Sequence, residues 1–184
     1  MSKRTSKAEQ ILDTAEKMAR VGGYSGFSFR EIAKDVGIKA ASVHYHFPGK
    51  QDLGAAIARR YTERFLESLG APDDPVAAPA ELLQRFIAAY RHSLVEDKLM
   101  CLCGMFGAEI GHLPDKVARE TQVFFERNRD WLVTVITRVG KKKKVDAEKA
   151  AFSILATLEG AMILARTLDD PAAFDAAAQI LTLE

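Results

Sequence analysis

Apolar residues in this chain recur at intervals of three and four, and no stretch of β-branched residues alternates with polar ones. That period puts apolar side chains on one face of a helix, so the chain must bury helical stripes against one another instead of building a sheet. The expected class is all-α, with about nine helices. The first covers about Lys7 to Val21, striped by Ile11, Leu12, Ala15, Met18 and Ala19 and stopped at Gly22-Gly23. Ser28, with Glu31 three residues on, reads as the capping box of a short second helix, Phe29 to Val36. Gly37 stands where a left-handed turn is wanted. A third helix runs from Ala40 to Phe47 with Val43 and Phe47 inward, and Pro48-Gly49 ends it.

A long fourth helix, Lys50 to Leu69, repeats Leu53, Ile57, Tyr61 and Phe65 every four residues. Three prolines between Gly70 and Pro79 enforce a loop. Leu82, Leu83, Phe86, Ile87, Tyr90 and Leu94 mark a fifth helix, and a short sixth is expected from Cys101 to Gly111. Pro114 opens a long seventh. Asp146 is expected to cap an eighth ending near Leu168, and Asp170-Pro171 opens a ninth.

The net charge of +1 hides an asymmetry. Up to Arg60 there are eleven Lys and Arg against six Asp and Glu; beyond it, fifteen against nineteen. A basic head on an acidic body suits a polyanionic partner for the head. Lys141 to Lys144 read as a solvated loop or a second polyanion contact. No uninterrupted apolar run reaches the roughly 18 residues of a membrane span. The basic N-terminus is not followed by an apolar segment, so the expectation is a cytoplasmic protein without a membrane partner. No Ser/His/Asp grouping, phosphate loop or metal-ligand set is visible; no enzyme, cofactor or metal is expected. A thiol enzyme built on Cys101 or Cys103 with His112 is the rival, but His112 follows Gly111 where a helix-capping role fits better.

The segment from Ser28 to Phe47 has the form helix, glycine turn, helix, the arrangement that sets a second helix in a DNA major groove. Ala40, Ala41 and Ser42 are small enough for a backbone to approach a base edge. Lys39, Ser42, His44, Tyr45 and His46 offer donors, with Tyr45, His46 and Lys50 suited to phosphates. For His44 and His46 the other reading is a helix end with aromatic packing.

From Ser28 to Leu53, Arg30, Ile32-Ala33, Val36-Gly37 and His44-Tyr45-His46-Phe47-Pro48-Gly49-Lys50-Gln51-Asp52-Leu53 resemble the signature of the TetR (tetracycline repressor) family. The resemblance covers about the first 65 residues. It implies a helix-turn-helix DNA-binding domain over residues 4–64, with the motif itself at 27–46, and a sensing and dimerising domain over 65–184. It also implies a repressor that leaves a pseudo-palindromic double-stranded operator when an unknown small molecule or electrophile binds. In that picture Ser28 and Arg30 touch backbone or flanking bases, the helix from Lys39 to His46 lies in the groove, and Lys50 holds a phosphate. Many relatives carry a longer polar residue where Ala40 stands, so base readout falls to Lys39 or to methyl packing on thymine.

The resemblance further implies an effector pocket in the body and a homodimer through the last two helices. Cys103, Phe106, Thr121, Phe124, Asn128, Trp131, Glu159 and Met162 are the effector candidates, a few polar groups among apolar walls. The eighth helix is apolar almost all round, as a central core helix or one covered by a partner subunit must be. Ala156, Gly160, Ile163, Phe174, Ala178 and Leu181 are the candidate dimer contacts. Cys101 and Cys103, two apart on a helix, should point about 200° apart, one inward and one outward. They are pocket-lining or a thiol redox sensor. A helical protein that binds another protein through its head is the remaining alternative.

Overall fold

A computed structural model describes residues 6–140 and 144–183. Among them are nine α-helices and no strand: α1 Lys7–Gly22, α2 Phe29–Val36, α3 Ala40–His46, α4 Lys50–Leu69, α5 Pro79–Val95, α6 Leu102–Ala108, α7 Asp115–Thr137, α8 Lys144–Leu168 and α9 Pro171–Ala178. Apart from the backbone of Lys144, the Lys141–Lys144 loop lies outside the described residues. The helix starts follow local chemistry. Ser6 and Glu9 form a reciprocal capping box on α1, and Asp170 accepts the Ala172 N–H at the start of α9. Asp146 is not a cap, because α8 begins two residues earlier. The sixth helix is shorter than its apolar pattern suggests and gives way to a 3-10 turn at Ile110–His112.

The chain divides into two compact units, and the division does not fall at a single point near residue 64. The first unit joins Met1–Thr62 to Leu102–Phe124. Its core is built from Ile11, Phe27, Ile32, Val43, Leu53, Phe106 and Val117, all removed from solvent. Arg60 ties α4 to α1 through Asp13 and Glu16, at 2.9 Å each. Lys116 and Glu120 on α7 pair with Asp52 and Arg59 on α4, at 2.6 and 2.5 Å. The exposed pairs of α4 with α7 are each worth at most about 1 kcal/mol, so the buried apolar faces carry the packing and these pairs fix its register, while Glu16 is itself buried under Arg60.

The second unit holds Glu63–Cys101 and Phe125–Glu184. Phe86 sits at the centre of an aromatic cluster, 5.6 Å from Phe65, 5.6 Å from Tyr90 and 5.5 Å from Trp131 between ring centroids. Edge and offset contacts of this kind add about 0.5–1.5 kcal/mol each beyond their area. Trp131 donates its indole N–H to the Gly70 carbonyl at 2.9 Å. Arg138 donates to the carbonyls of Pro72, Asp74 and Ala77 at 2.8 Å each, giving the proline loop the partners it lacks internally. α8 packs on α9, and α5 on both. Arg91 of α5 grips Asp175 of α9 with two bonds, at 2.7 and 3.1 Å.

Over an 18-residue window within Val145–Leu168, α8 is long and apolar enough by length and composition alone to cross a membrane, a test that the core helix of a soluble protein also passes. Only 39% of that window is buried within the protomer, and Phe152, Ile163, Leu164 and Leu168 remain exposed.

Candidate nucleic-acid interface

The helix-turn-helix is closed by backbone chemistry. The Ser28 hydroxyl accepts the Glu31 N–H at 3.3 Å and donates to the Glu31 carboxylate at 2.6 Å, which fixes the start of α2. Gly37 takes φ +70° and ψ 41°. Its N–H reaches the Lys34 carbonyl, and the Ile38 N–H reaches Ala33 at 2.9 Å, the paired bonds of a Schellman turn. A side chain at Gly37 would meet no neighbour, so the left-handed backbone alone asks for glycine there.

The turn leaves α3 anchored by one buried side chain, Val43. Lys39, Ala40, Ala41, His44, Tyr45 and His46 are exposed and Ser42 is half-buried; Tyr45 is 85% exposed. The expected inward position of Phe47 is only half-buried. His44 lies edge-on to Phe29, with centroids 4.6 Å apart, which brings the start of α2, with Ser28 and exposed Arg30, beside the reading helix. His46 stays exposed and meets Tyr45 at 5.2 Å. A helix offering small residues and donors while burying one valine has the form that enters a major groove.

Lys50, at the first position of α4, is placed differently from a free surface lysine. Its ammonium lies 4.7 Å from the ring centroids of both Tyr24 and Phe27. Burial pushes the group below the ordinary lysine range, and the charges of Glu109 and Glu31 oppose that. Tyr24, Phe27 and Glu109 had no place in the sequence reading of the interface.

The effector candidates fall in both units. Cys103, Phe106, Thr121 and Phe124 are buried in the first; Asn128, Trp131, Glu159 and Met162 belong to the second, where Glu159 is half-buried and the other three are buried. Two of the polar groups already have partners within the chain: Thr121 donates to the Val117 carbonyl at 2.9 Å, and Trp131 to Gly70. Glu159 accepts from the Tyr90 hydroxyl at 3.0 Å and from the Cys101 thiol. Tyr90 is the partner that periodicity alone assigned to plain core.

Burial holds the Glu159 carboxyl above the usual carboxylate range, against the downward pull of its two donors. The native state therefore binds this proton more tightly than the unfolded chain does. The stability involved is fully present below about pH 4.5, the unfolded value, and is lost as pH rises through the folded one. Glu159→Gln keeps a hydrogen-bonding group beside Tyr90 and cannot ionise. Its urea midpoint relative to wild type should rise between pH 5 and pH 8; an equal difference at both pH values would show that the carboxyl is already ionised when folded.

Both cysteines are buried, so the expectation that one faces outward is corrected. The helical argument does not apply because α6 begins at Leu102 and Cys101 precedes it. Of the dimer candidates, Phe174 is fully buried within the protomer and Leu181 is largely so. Ala156 and Ile163 are exposed; Gly160 and Ala178 are half-buried.

The fold and the exposed second helix of its motif define a helix-turn-helix DNA-binding protein. Comparison with known proteins identifies the kind. Residues 11–57 match the model for bacterial regulatory proteins of the tetR family, and residues 79–180 match the C-terminal domain of LmrA/YxaF-like transcriptional regulators. The HTH-type transcriptional regulator LmrA of Bacillus subtilis is 26% identical over 164 residues, covering 86% of each chain. A TetR transcriptional regulator from Legionella pneumophila superposes with a TM-score of 0.92 at 31% identity, covering 98% of this chain and 97% of its own. A TetR-family regulator from Agrobacterium tumefaciens does so at 0.85 and 30%, with 94% of each covered. The chain belongs to the TetR family of transcriptional regulators, with a C-terminal domain of the LmrA/YxaF-like kind.

Proposed function

We propose that this regulator is a cytoplasmic repressor that binds a pseudo-palindromic operator as a homodimer and leaves it when a small molecule binds the body. The observation that carries the reading is α3, a helix whose only buried side chain is Val43 and whose polar and small residues face solvent. In this reading residues 4–64 are the DNA-binding head, and two heads sit about one helical turn of DNA apart, roughly 34–36 Å. Residues 65–184 sense and dimerise. α4 and α7 each contribute to both compact units, so they are covalent links through which an effector would change the spacing of the heads. An effector acts only by favouring the spacing that does not fit DNA. Glu159, with Tyr90 beside it, is the polar pair in the second unit that would receive a hydrogen-bonding group of the effector. The burial of Cys101 and Cys103 supports packing over a thiol sensor, and the reading assigns no catalytic role.

Fluorescence anisotropy on a duplex selected from a random library by the protein tests this directly. With two or three phosphate contacts per head, log affinity should fall against log salt with a slope of about −4. Affinity indifferent to salt, or capture of protein instead of DNA, would move the head to a protein-binding role.

A further inference from the structure

The segment that follows α6 reaches into the head at one point. The Glu109 carboxylate accepts the backbone N–H of Tyr24 at 3.1 Å, across 85 residues of sequence. It can do so because Gly23, at φ +69°, has no Cβ; a Cβ there would collide with the Glu109 carboxylate. The Tyr24 ring is one wall of the cage around Lys50, and Phe27 is the other. The same ring meets Phe27 at 5.6 Å and Phe106 of α6 at 6.0 Å, both edge-on. Its far edge lies on Gly54 of α4, where a Cβ would come within 2.9 Å of it. All these residues belong to the first compact unit.

We infer that Glu109 is a positioning residue for DNA contact: by fixing the Gly23–Tyr24 turn, it sets the aromatic cage that aims Lys50, and it makes the lysine's hold on a phosphate depend on where α6 ends. The inference rests on the reading of Lys50 and α3 as the DNA interface. Its physical basis is the short path from the carboxylate to the ammonium. The backbone hydrogen bond fixes the turn that carries the ring, Phe27, Phe106 and Gly54 seat the ring, and Tyr24 with Phe27 confines a lysine whose flexible stem would otherwise lose rotamer freedom on binding. A shift of α6 that withdraws the carboxylate would release the ring and return Lys50 to free rotation.

The test uses the full-length protein and a duplex selected from a random library by wild type. Glu109→Ala should weaken binding about tenfold and make the salt slope shallower by about one per head, the signature of a lost phosphate contact. Glu109→Gln keeps an acceptor for the Tyr24 N–H and removes a negative charge near the phosphate, so it should bind at least as tightly as wild type. In a Lys50→Ala background, Glu109→Ala should cost nothing further, since the residue acts through Lys50. If the alanine variant does not fold, Glu109→Asp, one methylene too short to reach Tyr24, replaces it in the cycle. Wild-type affinity and slope in Glu109→Ala would overturn the inference. So would a loss that persists without Lys50, or a glutamine variant as weak as alanine. The double variant Lys39→Ala, Tyr45→Ala separates the two levels. If it lowers affinity by several thousandfold while the Glu109 variants stay at wild type, the inference alone fails; if it leaves binding intact, the interface reading fails and the inference with it.

Discussion

Replacing Lys39 and Tyr45 together by alanine should lower affinity for the selected duplex by several thousandfold or more, equivalent to about 5 kcal/mol at least, while leaving the fold unchanged. Both side chains are exposed, and Val43 is the buried side chain of α3, so neither substitution opens a cavity. A lysine hydrogen bond to a phosphate or base is worth roughly 1.5–3 kcal/mol and a neutral tyrosine bond about 1, and a homodimer loses each twice. The expected loss is therefore large against an unchanged melting temperature. Anisotropy titration and a thermal melt on the same samples measure both. Retention of affinity within about tenfold would show that α3 does not carry the readout.

Much of the architecture can be read from local chemistry. The bounds of α2 and α4 follow from Ser28, Gly37, Lys50 and Gly70 because caps and breakers act over one turn. The recognition helix was legible for a related reason. Small and polar residues around a single valine make sense only on a surface that must admit a large partner. What stayed hidden are pairings between distant segments. Nothing about Glu109 at the end of a short apolar helix announces that its carboxylate will sit on Gly23 and Tyr24. The need for glycine at 23 is visible as a helix stop, not as a seat for another side chain. Tyr90 lies on the apolar stripe of α5, so periodicity assigns it to the core, and its hydroxyl finds Glu159 only once α5 and α8 are packed. Lys50 is legible as a cation at the start of α4, but the two rings beside it come from a turn more than twenty residues earlier. The misplaced thiol has a simpler origin. Helical geometry was applied across Cys101 and Cys103, although the helix starts between them.

The second large effect is expected on α8. Phe152, Ala156, Gly160 and Ile163 are spaced by four, four and three, so they share one face of the helix, and Phe152 and Ile163 are each 56% exposed. Ala156 is exposed, and a Cβ on Gly160 would meet nothing within 4 Å. A row with large apolar residues at its ends and small ones in the middle lets a second helix approach closely. Phe174 and Leu181 add little exposed surface to it, because they are buried within the protomer. If a second copy covers the row about a two-fold axis, each residue is buried twice, and Ile163→Asp places two carboxylates in the same dry seam. The variant should sediment as a monomer at micromolar concentration with wild-type helicity, because the side chain it replaces is solvent-facing in the protomer. Its DNA affinity should fall by about a hundredfold or more, since each head then binds without the effective concentration its tethered partner supplies. Monomer formation without loss of DNA affinity would mean that a single head suffices. A dimer that survives Ile163→Asp would move the interface off this face, and the exposed apolar row of α8 would need another cover.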